Sequence, residues 1–131
     1  MDLSNFNTVP AANAGAPMTV RDPSGAPIVA ADGSPVTITL RGRDSEVFLQ
    51  TERKIIDRRV SHGGSSAAAR EQDGIDLLAK CTVSWCGIVV EGEDLECTEA
   101  NARRVYRDFR FIRDQADAFI GDRSHFMSRA A

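Results

Sequence analysis

Thr98-Glu-Ala-Asn-Ala-Arg-Arg-Val-Tyr106, Phe111-Ile-Arg-Asp-Gln115 and Phe119-Ile-Gly-Asp-Arg-Ser-His-Phe126 are the stretches on which the fold turns. Thr98 carries a hydroxyl suited to accept from a free N–H of a first helical turn. Behind it Ala102, Val105, Tyr106 and Phe109 recur at i, i+3, i+4 and i+7, the spacing of one apolar helix face. A break is expected near 108–110, after which Ile112, Gln115, Ala116, Phe119 and Ile120 mark a last helix. Phe126 and Met127 lie just past its end.

Upstream of these helices, Ile88-Val-Val90, Glu91-Gly-Glu-Asp94 and Leu95-Glu-Cys97 read as a small acidic hairpin. A further helix is expected from about 67 to 84, with Ile75, Leu77, Leu78, Cys81 and Val83 as apolar positions. Trp85 closes it, and Gly87 is suited to a left-handed stop. His62-Gly-Gly-Ser-Ser66 is a flexible joint. Before it, Asp44 or Ser45 caps a helix over 45–60 whose apolar face is Val47, Phe48, Ile55, Ile56 and Val60. Arg53, Lys54, Asp57, Arg58 and Arg59 then form a solvated face, with cations near the negative end of the helix dipole.

The N-terminal part reads differently. Val36-Thr-Ile-Thr-Leu40 alternates strictly, which puts Val36, Ile38 and Leu40 on one side of a strand. Asp22-Pro-Ser-Gly25 and Ala31-Asp-Gly-Ser34 are turn sequences. Strand 18–21, an extended piece near 27–30 and strand 36–41 are expected to make the sheet. Residues 1–16 are small and turn-prone without an apolar period, and read as a flexible arm bearing one ring, Phe6. The expected fold class is therefore α+β: the arm 1–16, then a single domain over 17–131. Its β-rich part, 17–42, is a small antiparallel hairpin or three-stranded sheet, packed on a helical part over 45–127.

At 131 residues the chain is one domain by size. A net charge of −3 argues against duplex DNA or an anionic membrane as main partner. No apolar run approaches a span, and no basic stretch followed by an apolar one opens the chain, so neither membrane insertion nor secretion is expected. Cys81, Cys86 and Cys97 are an odd set with distant histidines at 62 and 125, which fits buried thiols better than disulfides or zinc. Gly63-Gly64-Ser65-Ser66 lacks the lysine of a phosphate loop. Ser61-His62 and Ser124-His125 are sequence neighbours without an evident orienting carboxylate. The carboxylates at 91, 93, 94 and 96 lack the calcium-loop pattern. No catalytic residue, cofactor or metal is expected, and the residues by themselves give a small α+β interaction protein.

Asn101, Arg104, Tyr106, Gln115, Phe119, Asp122, Arg123 and Phe126 form a spaced pattern. With Val20-Arg-Asp-Pro-Ser-Gly-Ala-Pro-Ile28, Asp32-Gly-Ser-Pro35, Thr37-Ile38, Gly42-Arg-Asp44-Ser45 and Trp85 before an acidic hairpin, it resembles the tail assembly chaperones of tailed bacteriophages. The likeness covers most of 18–127 and rests on order and spacing, since each motif alone is a generic turn or cap. It implies a non-enzymatic protein of the host cytoplasm that binds the helical tape-measure protein. Such a protein assists assembly of the tail-tube protein around that client, and is absent from the mature virion. Several copies along one client would act by avidity, as a homo-oligomer or as separate binders. The rival reading is a structural component of the tail or head-tail connection that stays in the particle. Phe6, Tyr106, Phe109 and Phe126, at the edges of the apolar faces, are the partner-binding candidates.

Overall fold

The computed structural model describes residues 1–127; the expected domain's last positions, 128–131, lie outside the described residues. Among those described, the order is α1 (Val9–Ala14), β1 (Ala16–Thr19), β2 (Thr37–Leu40), α2 (Glu46–Ser61), α3 (Ala67–Cys81), β3 (Thr82–Cys86), β4 (Val89–Val90), β5 (Glu93–Asp94), α4 (Glu99–Asp108) and α5 (Arg110–Gly121). Short 3-10 turns cover Leu3–Phe6 and Arg123–Phe126. The class is α+β, with a three-stranded antiparallel sheet in the order β1-β2-β3.

Strand β2 occupies the centre, paired on both sides, and its alternation decides which face is buried. Ile38 and Leu40 are both fully buried, while Thr37 and Thr39 lie on the half-buried other face. Ile38 faces Met18 on one neighbour and Trp85 on the other. Val20, Val36, Ile75, Leu78, Cys81, Val105, Tyr106, Ile112 and Ile120 complete a single core between the sheet and α3, α4 and α5.

The third strand is not the expected piece near 27–30. That segment makes only isolated bridges, Arg21 to Pro27 and Val29 to Pro35, around its two turns. The edge strand is instead Thr82–Cys86, which the apolar spacing had assigned to the end of a helix. Helix α3 stops at Cys81, and the β-branched pair Thr82-Val83 turns directly into the sheet. Trp85 thus packs across Ile38, and its indole N–H donates to the Leu95 carbonyl at 2.8 Å, tying the β4–β5 hairpin down. Glu91 and Gly92 both have positive φ, 52° and 80°, as the two-residue turn of that hairpin demands.

The expected arm also differs. Residues 9–14 form a helix with Pro10 in its first turn, and Ala12 is buried. The Ala12 carbonyl accepts from Gly42 N–H at 3.1 Å, Asn13 O accepts from Arg41 Nε at 3.1 Å, and Asn13 Oδ1 accepts from Glu46 N–H at 2.8 Å. Six residues do not hold a helix in isolation, so α1 owes its existence to this docking.

Caps explain the helix limits. Ser45 Oγ accepts from Phe48 N–H, Ser66 Oγ from Ala69 N–H and Thr98 Oγ1 from Asn101 N–H, each at 3.1 Å. Phe109 breaks the α4–α5 pair at the expected place. In α2 the burial departs from the expected face: Ile55 is buried and Val47 and Phe48 half-buried, but Ile56 and Val60 point outward. Arg58 and Arg59 are not merely solvated; both grip Asp73 of α3, which is itself buried.

Candidate partner-binding surface

Three residues of the spaced C-terminal pattern, Gln115, Arg123 and Phe126, are latches between the two halves of the sequence, while Asn101 and Asp122 fix local turns. Gln115 on α5 accepts from the Arg21 N–H and donates to the Arg21 carbonyl, both at 2.8 Å, so one side chain completes the backbone pairing of the β1–β2 connection. Arg123 holds both oxygens of Asp44 through Nε at 2.8 Å and an amino group at 3.0 Å. Thr8 donates to the same carboxylate. Those bonds, Arg123 first and Thr8 second, hold the Asp44 carboxyl down at about 2 against an ordinary 3.8. Asn101 donates from its amide to Glu96 O at 2.9 Å and fixes the start of α4. Asp122 accepts from Ser124 N–H and Oγ and caps the last 3-10 turn.

The four partner-binding candidates separate into three groups. Tyr106 is fully buried, and its hydroxyl shares a 2.6 Å hydrogen bond with Thr82 Oγ1; burial drives its pKa well above the ordinary tyrosine value. Phe126 is buried too, with its ring against Gly42 and edge-on to Phe119 at 5.6 Å between centroids. Both are core residues, beyond a partner's reach in this conformation. The sequence placed them at the edge because it did not show that the 123–126 turn folds back against α1 and Gly42, burying Phe126, or that α3 and β3 close over Tyr106. Phe6 is the opposite case, with 55% of its surface exposed. Leu3 shares its edge of the first 3-10 turn at the eclipsed i, i+3 spacing and is exposed as well.

Phe109 is half-buried and lines a recess of about 150 Å³ walled by Ile28, Ile88, Val89, Val105, Phe111 and Ile112, among others. Among the described residues, no charged one lines it. Phe109 and Phe111 meet edge to face at 6.5 Å, which holds two walls rigid, while Val89 at the mouth is 53% exposed. A larger hollow of about 330 Å³ between α2 and α5 includes Phe48, Leu49 and Ile120, but Arg43, Asp44, Glu52, Asp117 and Arg123 also line it. A pocket for an apolar side chain must be lined by carbon, so the smaller recess is the better receptor. Phe109 was a candidate from the sequence; Val89, which lines the same recess, was not, and its signal was its place in a short hairpin with an apolar arm.

Among the described residues, nothing in the geometry assembles a nucleophile with a base. Ser124 Oγ donates to Asp122 at 2.7 Å, and His125 stacks on the Phe119 ring at 4.0 Å with its Nε2 3.9 Å from Asp122. His62 Nδ1 lies 2.7 Å from the Arg58 carbonyl at the end of α2. Among the described residues, no group of three or more His, Cys, Asp or Glu is placed to hold a metal, and no helix is long and apolar enough to cross a membrane. Cys81, Cys86 and Cys97 are free thiols, and burial pushes the Cys81 thiol up to about 12, far from the reactive range. No protein-family model matches the chain, and neither a curated protein nor a solved structure matches it.

Proposed function

We propose that the protein is a tail assembly chaperone of a tailed bacteriophage, which holds helical segments of the tape-measure protein in the host cytoplasm while the tail tube assembles, without catalysis. The observation that supports this most is the carbon-lined recess at Phe109, which opens beside the exposed Val89. A recess of about 150 Å³ suits one or two side chains from an apolar helix face rather than a whole small-molecule substrate. Its rigid aromatic walls lower the entropic cost of each capture event. One such contact is weak, and repetition along a long client makes it effective. Gln115, Arg123 and Phe126 of the spaced pattern add to the reading as the part of the likeness that has a structural job here, fastening the C-terminal helices to the N-terminal part of the chain.

Co-expression tests it. The wild-type chain should keep the tape-measure protein soluble, and Val89→Asp should abolish that effect while leaving the chain's own melting temperature nearly unchanged. A tape-measure protein equally soluble with and without the chain rejects the reading. Mass spectrometry of purified virions gives the second arm: a chaperone is absent or present in traces, whereas a stoichiometric amount makes the protein a structural tail or head-tail component.

A further inference from the structure

Helix α2 carries an apolar seam that the fold leaves uncovered. Leu49, Arg53, Ile56 and Val60 follow one another at steps of four, three and four residues, the d-a-d-a spacing of a coiled-coil heptad. Leu49, Ile56 and Val60 are 39, 48 and 76% exposed, increasing toward the helix end. The opposite side of the helix is already spent, with Ile55 buried and Phe48 and Thr51 half-buried against the chain's own core. The seam is therefore a second face with its own spacing.

The charges beside the seam identify the occupant. In this heptad Glu52 and Arg59 occupy the g positions on one flank, and Asp57 occupies an e position on the other. A parallel pair of α2 helices would set g against e of the partner, bringing Glu52 against a second Asp57 twice over. An antiparallel pair sets g against g, so Glu52 meets a second Arg59 and each Arg59 meets a second Glu52. The same register stacks Leu49 on a second Val60 and Arg53 beside a second Ile56, with the Arg53 guanidinium within reach of a second Asp57. Arg59 also binds Asp73 through Nε and one amino group, which orients its fork on that flank.

We propose that α2 is a homodimerisation helix, pairing antiparallel with α2 of a second copy through Leu49, Arg53, Ile56 and Val60. The inference does not depend on the chaperone reading, because it concerns another face and needs no client. A contact of three turns per helix is small beside a standard interface, so the dimer is weak.

Sedimentation velocity across about 5–500 μM of the full chain tests it. The wild type should pass from monomer to dimer over that range. Ile56→Asp occurs twice in each interface and should weaken dimerisation by about a hundredfold or more, with the circular-dichroism melt of the monomer unchanged. Asp57→Lys distinguishes orientation: it should weaken an antiparallel dimer by about tenfold, since Arg53 then meets a like charge. Tighter association of Asp57→Lys would mean a parallel pair and overturn the proposal. A wild type that stays monomeric throughout, or an Ile56→Asp variant that still dimerises, overturns it equally.

Discussion

Helices α2 and α4 have opposite relations to the core. Helix α4 spans ten residues and buries Ala102, Val105 and Tyr106; α2 spans sixteen and buries only Ile55. Length is thus no guide to what a helix contributes. Helix α4 lies between α3 and α5 and its apolar stripe is consumed inside the domain, whereas α2 packs chiefly on α3 and is fastened by polar contacts. The Ser45 cap fixes its start, and Arg58 and Arg59 tie its last turns to Asp73. Val47 and Phe48 are half-buried, and Leu49, Ile56 and Val60 lie on the surface.

The sharpest way to break this contrast is at Tyr106. Tyr106→Ala empties a fully buried site and leaves Thr82 without that partner, and should cost about 3–5 kcal/mol in a urea titration. A loss under about 1 kcal/mol would mean that α4 is not the central helix. Next comes the contact of Gly42 with Phe126. A Cβ at Gly42 would stand 2.9 Å from the Phe126 ring, so Gly42→Ala must displace a buried aromatic and should cost about 1–3 kcal/mol. Deleting residues 2–14 belongs with it: the expectation from an unstructured arm is no effect, but removal of Ala12 and the Asn13 bonds should lower the melting temperature measurably.

A smaller effect is expected at the Asp44 latch, and it depends on pH. The folded carboxyl titrates at about 2 and the unfolded one near 3.8, so its contribution is complete above about pH 4 and disappears as the pH falls toward 2. Because Arg123 is more than half exposed, solvent screening reduces the contribution to about 1 kcal/mol. Asp44→Asn should lower stability by that amount at pH 7 and by nearly nothing at pH 2, as followed by urea melts at both. The smallest change belongs to α2: Ile56→Ala should alter monomer stability by less than about 0.5 kcal/mol despite removing a large aliphatic group.

The same contrast separates what the sequence made legible from what it did not. Strand β2, the Ser45 and Thr98 caps and the break before α5 follow from local patterns, because alternation, capping hydroxyls and apolar period act within a few residues. The third strand was hidden because Val83 and Trp85 also fit a continuing helix, and only pairing with β2 decides between the two. Helix α1 was hidden because its stability comes from residues 41–46, some thirty positions away. Of the four candidates, Phe6 is exposed and Phe109 half-buried, but Tyr106 and Phe126 lie in the core. An aromatic at a face edge looks the same whether the neighbouring segment folds over it or not. Ile56 and Val60 failed in the other direction, since apolar spacing locates a face without saying whose core it meets.

The proposed capture of an apolar helix at the Phe109 recess can be measured by calorimetric titration of a tape-measure segment into the purified chain. Apolar burial at about 25 cal/mol per Å² should supply most of the affinity. The heat-capacity change should therefore be negative, and affinity should fall by less than tenfold between about 0.1 and 0.5 M salt. Val89→Asp should remove the binding heat. No binding by the wild type, a tenfold or greater loss with salt, or unchanged binding by Val89→Asp would contradict the account.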